Sequence, residues 1–190
     1  MSARDTLALA RARVVIEIGP HMLDIPPDAL AILKNYRTCE FTTLSAKGAP
    51  VTWPLCARLL DDGRFLLTTS IAMPQKAFNI RRNPKVSLLF SEPRGSGTDK
   101  SGAVLVQGDA VCEDRIVADM TTVPELEGYI VENIFSRQPK GKFMSSWIGK
   151  RLFPSYYMRL LIYVKPTRIR WWPTRDFSQA PSRIEVSNVG

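Results

Sequence analysis

The sequence has little with which to do acid–base or metal chemistry. It holds one histidine, His21, and three cysteines, Cys39, Cys56 and Cys112. The thiols are odd in number and widely spaced, which excludes a disulfide framework and the usual paired metal-ligand spacings. Each sits in a strand-like stretch and reads as a reduced, buried thiol of a cytoplasmic protein. His21 stands in no recognisable catalytic order and reads as a surface or structural residue. There is no HExxH helix, Walker loop or GxGxxG turn. Asp61-Asp62 precedes Gly63 in a turn, which argues against a paired-carboxylate site. No run approaches the ~18 apolar residues of a membrane span. Arg4, Arg11 and Arg13 break up the apolar N-terminus, unlike a secretory signal.

What is present is a chain of ordinary globular composition, 190 residues with 45% apolar and 23% charged residues. That length fits one domain over 1–190, with an N-terminal extension or helix over 1–25, a body over 26–172 and a tail over 173–190. The net charge of +8 is unevenly placed. Ten of the 26 basic residues lie between Arg137 and Arg175 with no acidic residue among them, and the rest of the chain is slightly acidic. Such a segment sets up a positive field for an anion, whether a phosphorylated or polyacidic cofactor, a nucleic acid or a membrane surface.

Periodicity predicts the elements. Leu7, Ala10, Val14 and Ile18 have helical spacing in the N-terminal stretch. Pro26-Pro27 introduces a short helix over 28–36. The period then becomes two, predicting strands over 39–44, 51–60 and 64–70 joined by short Gly-containing turns. A helix runs from Pro74 to Arg82, closed by Asn83-Pro84, and a strand follows over 85–91. A further strand covers 102–113, with Gly108 at a bulge or close backbone approach. Residues 114–136 and 143–152 have helical spacing. Strands over 158–164 and 167–172 are split by Lys165-Pro166, and the tail after Pro173 is extended. Six to seven antiparallel strands with peripheral helices predict a mainly β fold, closed or nearly closed into a barrel.

The stretch from Leu66 to Phe90 carries the most chemistry. A strand ends in Thr68, Thr69 and Ser70, and a helix begins at Pro74 with Gln75 and Lys76 in its first turn. A helix start offers unpaired N–H groups and a positive dipole end. Lys76 and Asn79 share one face of that helix. Hydroxyls, amides and an ammonium can converge on one anion; the alternative is a solvated lysine on an ordinary crossover helix.

This stretch resembles the cofactor-binding core of the pyridoxamine-phosphate-oxidase-like split barrels. The matching residues are Thr69-Ser70, Lys76 and Asn79-Ile80-Arg81-Arg82-Asn83-Pro84-Lys85-Val86. The opening hairpin from Phe41 to Leu60, Val106-Gln107-Gly108, and Val164-Lys165-Pro166 followed by Ile169-Arg170-Trp171-Trp172 are also similar. The likeness spans about 130 of the 190 residues. It implies an FMN-binding-type split β-barrel and a homodimer with cofactor sites at the interface. It also implies hydride transfer between a small organic substrate and a deazaflavin (F-420) or FMN. Thr68, Thr69, Ser70, Gln75, Lys76 and Asn79 would hold the cofactor's phosphate side, and Trp53, Pro54 and Leu55 would lie beside its ring. Lys150, Arg151 and Arg159 would meet further anionic groups, Arg159 from the partner chain. No catalytic residue is singled out.

Two departures bear on the reaction. Pyridoxamine-phosphate oxidases proper start this helix with Ser-Arg-Lys, where this chain has Pro74-Gln75-Lys76, and they carry a histidine near the C-terminus that is missing here. The Ser70–Pro74 loop is closer to the deazaflavin-using branch, whose cofactor has a polyglutamate tail suited to the segment 137–175. The absence of acid–base residues is compatible with a flavin enzyme, where the ring carries the hydride. Other readings are a non-catalytic flavin carrier or sensor on the same barrel, and a nucleic-acid binder using interleaved basic residues and aromatics such as Trp147, Tyr156 and Tyr157. No RNA-recognition or cold-shock motif supports the last.

Overall fold

The computed structural model describes residues 14–18, 21–94, 102–118, 122–126, 158–184 and 186–188. Its main sheet is antiparallel, with strands β3 (Cys39–Leu44), β4 (Pro50–Leu55), β5 (Arg58–Leu59), β6 (Phe65–Ser70), β7 (Lys85–Phe90), β8 (Ala103–Val117), β9 (Arg159–Trp172) and β10 (Ser182–Ile184). The strand order is β4-β3-β7-β8-β9-β6-β5, with β10 on the far side of β9. The path does not close on itself, as in a split barrel. Two helices accompany it, α1 (Pro27–Asn35) and α2 (Gln75–Arg82). A smaller sheet joins β1 (Val14–Ile18), β2 (His21–Ile25) and β11 (Val186–Asn188).

Strand alternation builds the core. Phe41, Leu88, Val106 and Ile169 are neighbours across four strands, and all are fully buried. Each such side chain contributes roughly 1.5–3 kcal/mol of burial. Phe65 and Phe90 stack against each other in the same cluster, ring centres 5.8 Å apart. Helix α1 adds Ala29, Ile32 and Leu33, and Tyr36 donates its hydroxyl to the carbonyl of Gly102 at 2.9 Å. A second cluster of Leu66, Val117, Val123, Leu126 and Leu161 packs on the opposite face of β6 and β9.

Most expected elements form, and the exceptions have physical causes. Residues 14–18 and 21–25 are a hairpin and not part of a helix. The run Val14-Val15-Ile16 is β-branched, stiff at χ1 and better suited to a strand, and Gly19-Pro20 interrupts any helix. Residues 1–13 lie outside the described residues. The strand expected over 51–60 breaks into β4 and β5. Gly63, at φ +78°, closes the tight turn into β6. Residues 114–117 continue β8 and are not helical, a short 3-10 turn covers Pro124–Leu126, and the helices expected through 136 and over 143–152 fall outside the described residues. The tail turns back to form β10 and β11.

Lys165-Pro166 does not split the last strand. β9 runs unbroken from Arg159 to Trp172, and the ladder to β8 absorbs the proline by a register shift between Gln107 and Gly108. Gly108 makes that shift possible, because a Cβ there would sit 2.2 Å from the carbonyl oxygen of Lys165. The bulge and close approach expected at Gly108 are both present. Cys39 and Cys112 are buried free thiols and Cys56 a partly buried one. Burial pushes the Cys39 thiol well above its usual range, which makes it inert. No helix among the described residues is long and apolar enough to cross a membrane.

Candidate functional site

Helix α2 is short and polar, yet it buries one face. That face holds Ala77 and Ile80, which join the core, flanked by Lys76 and Asn79. Lys76 is 5% exposed and Asn79 fully buried. A buried lysine and a buried asparagine side by side on an eight-residue helix demand an account of their polar groups.

For Asn79 the protein answers at both ends of the amide. Its amide nitrogen donates to Thr43 Oγ1 on β3 at 2.9 Å. Its carbonyl oxygen accepts from Gln75 Nε2 at 2.9 Å and from Arg82 at 2.6 Å. This side chain ties both ends of α2 to the sheet. It was expected to hold a cofactor; these three hydrogen bonds go to the protein and leave one amide N–H for a further acceptor. Thr43 and Arg82 complete the clamp. Arg82 is legible as the i+3 neighbour of Asn79; Thr43 is 36 residues away and gives no local signal.

Lys76 has a different environment. Its ammonium lies 4.9 Å from the centre of the Trp53 ring, a cation–π contact worth about 0.5–2 kcal/mol. Burial, and then the like charge of Arg159, hold its pKa below the ordinary value of 10.5. Arg159 starts β9, pairs in register with Ser70 at the end of β6 and is 7% exposed. Two buried cations thus repel each other. The first turn of α2 next to them, opened by Pro74, takes no side-chain cap. These features fit an anion.

The other expected residues are placed as follows. Thr68, Thr69 and Ser70 are all buried at the end of β6. Thr69 donates to the Met73 carbonyl at 3.0 Å, and Ser70 Oγ accepts from the Ala72 N–H at 3.2 Å. Both hydroxyls shape the turn into α2. Gln75 is exposed and engaged with Asn79. Trp53 meets Lys76, whereas Pro54, next along β4, is exposed on the opposite face by strand alternation. Leu55 packs against the core. Lys150 and Arg151 lie outside the described residues.

Among the described residues the basic segment is not one patch. Arg159 and Arg168 are separated by about 30 Å of β9 at the usual strand rise, too far to act on one small anion. Arg168 and Arg170 project from the outer face of the sheet, and Arg175 acts on Glu92 near α1. Trp171 packs against the core. Trp172 stacks on Phe177 at 5.3 Å and donates its Nε1 to the Gln179 carbonyl at 3.1 Å. These two aromatics are structural. Trp147, Tyr156 and Tyr157 lie outside the described residues. Among the described residues no cluster of His, Cys, Asp or Glu could hold a metal ion.

The family model described as pyridoxamine 5'-phosphate oxidase matches residues 25–151, the greater part of the chain. The chain belongs to this family. No curated protein matches it. Among solved structures, a protein from Clostridium acetobutylicum related to general stress protein 26, of the pyridoxinephosphate oxidase family, is similar at TM-score 0.51 and 11% identity. The match covers 85% of this chain and 92% of that one. A conserved hypothetical protein from Mycobacterium tuberculosis is similar at TM-score 0.50 and 21% identity, covering 86% and 92%. A structure described as an F420 reductase is 20% identical, covering 73% and 93% at TM-score 0.48. The family match and the first two of these likenesses establish the pyridoxamine-phosphate-oxidase-like fold.

Proposed function

We propose that this family member is an oxidoreductase that binds a phosphorylated deazaflavin (F-420) or FMN, acts on a small organic substrate and works as a homodimer. One observation carries the reading: Lys76 is buried beside the like charge of Arg159, with its ammonium over the face of the Trp53 ring. A buried cation pair of this kind is stabilised by an anion, and the uncapped first turn of α2 adds amide donors where a phosphate would be received. When bound, the cofactor supplies hydride chemistry through its ring.

The chain's own contribution is to bind and orient. Lys76 and Arg159 neutralise the anion, the α2 amides donate to it, and Trp53 offers an apolar wall. The Asn79 clamp fixes α2, and with it the direction of Lys76. The experiment is a fluorescence titration of the apo-protein with FMN and with the deazaflavin, at low and high salt. Tight deazaflavin binding that weakens with salt supports the deazaflavin form, and tight FMN binding alone supports the FMN form. Binding of neither defeats the proposal.

A second reading rests on the electrostatics of Lys76, to which no carboxylate among the described residues contributes. A cofactor carrier or sensor needs no proton-transfer group, and it would bind cofactor without reducing any acceptor. Turnover assays separate the two.

A further inference from the structure

The ladder between β8 and β9 slips by one residue where Pro166 passes Gly108. Gln107 pairs with Arg168 and Gly108 with Pro166, so Thr167 is left over as the extra residue of a bulge. The Thr167 hydroxyl donates to the Gln107 carbonyl at 3.3 Å and pins that extra residue. A bulged strand bends, and Gly108 adds no side chain to fill the space. A cavity of about 330 Å³ opens here, lined by Lys85 and Val86 of β7, Gln107 and Gly108 of β8, and Thr167 and Arg168 of β9.

The chemistry of this cavity is incomplete. Gln107 Oε1 is buried and meets no hydrogen-bond donor among the described residues. Buried acceptors are rarely left unmet. Strand alternation turns Gln107 and its register partner Arg168 to the same side of the sheet, with Cβ atoms about 5 Å apart. Arg168 is exposed and forms no ion pair among the described residues. The Lys85 ammonium lies 2.7 Å from the Asp109 carboxylate, and Lys165 is the register partner of Asp109 on β9. Three cations thus surround one carboxylate. A water would answer the glutamine oxygen but leave that positive field unbalanced. The complementary ligand joins two groups: a carboxylate for the Arg168 guanidinium, and a hydroxyl a few ångströms from it for Gln107 Oε1. An amino acid also carries a donor, but its ammonium would enter a field that is already positive.

We infer that the bulge cavity binds a small hydroxycarboxylate, its carboxylate on Arg168 and its hydroxyl donating to Gln107 Oε1. Lys85 and Lys165 draw the anion in. The cavity is separate from Lys76, because Arg159 and Arg168 stand about 30 Å apart along β9. The inference therefore goes beyond the proposed function and holds for a reductase and a carrier alike.

The test compares malate with succinate, which differ only in the hydroxyl. Both are titrated into the isotope-labelled full chain at low salt. Amide NMR shifts at Gly108, Thr167 and Arg168 locate the binding, and calorimetry gives the affinity. Malate moves these amides and binds about fivefold tighter than succinate, the value of one ordinary hydrogen bond. Gln107→Leu removes that preference and leaves succinate binding unchanged. Arg168→Leu weakens both acids about tenfold or more, as for a charge-assisted pair. Circular dichroism confirms that each variant folds. If Gln107→Leu does not, Gln107→Glu replaces it, and its carboxylate repels both acids. Lys76→Met leaves the shifts at Gly108, Thr167 and Arg168 in place, which separates this cavity from anion binding at Lys76. Shifts confined to residues around Lys76, equal affinity for the two acids, a malate preference that survives Gln107→Leu, or no binding at all overturns the inference.

Discussion

Helix α2 contains two polar sites three residues apart that obey opposite rules. Around Asn79 both ends of the side-chain amide meet protein partners: Thr43, Gln75 and Arg82. Around Lys76 there is burial, a π face and a second cation. A side chain buried with its partners serves the fold. One buried beside its like charge costs the fold something, and a ligand can recover that cost. The contrast separates positioning from binding on a single helix, where spacing alone had grouped both residues as cofactor ligands.

Four outcomes sharpen or break that contrast. The largest is expected at Lys76. Lys76→Met should weaken FMN or deazaflavin binding by about 1.5–3 kcal/mol, the scale of hydrogen bonds to charged groups. It should also leave the melting temperature of the free protein unchanged or raised. A lower melting temperature with unchanged affinity would reverse the assignment. Next comes Asn79→Ala, which strands the Thr43 hydroxyl and releases both ends of α2. It should destabilise the free protein by about 1–3 kcal/mol, read by denaturant unfolding.

The third outcome is a pH dependence. The Lys76 pKa is lowered in the free fold, so its contribution to stability is lost as pH falls through that lowered value and is regained above it, towards the ordinary 10.5. An anion prefers the protonated amine. Cofactor affinity should therefore fall as pH rises through the same window, while the free protein gains stability. Paired titrations and melts from pH 7 to 10 check both slopes, and Lys76→Met should flatten both. The smallest effect is expected at Gln75, which is exposed and adds one hydrogen bond to Asn79. Gln75→Ala should cost about 0.5–1 kcal/mol in the same unfolding experiment, with less effect on affinity than Lys76→Met.

The sequence was most informative where structure is local. The β6–α2–β7 stretch was legible because its hydroxyls, helix start and Asn83-Pro84 stop are contiguous. The N-terminal hairpin was not, because Val14 and Ile18 satisfy a helical period while their β-branched neighbours favour a strand. Pro166 read as a break because the compensating Gly108 sits on another strand, and only the β8–β9 register joins them. Lys76 and the helix start beside it were legible as a candidate anion site. The roles of its neighbours were not, since the partner that makes Asn79 structural, Thr43, comes from a distant strand. The basic segment looked like one field along the chain, but the length of β9 divides its described residues.

The position of β9 also governs when the site can exist. Ser70 pairs with Arg159 and Phe65 with Val164, so β6 finds its neighbour only after most of the chain has been made. At synthesis rates of about 5–20 residues per second, that is a wait on the order of 5–20 s. During it β6 has an open edge, a template for mispairing with other nascent chains. The pairing has high contact order and belongs to the slow part of folding. Chains truncated before residue 159 would carry Lys76 without Arg159 and leave β6 unpaired on that side, so they would be expected to aggregate before they could bind anything.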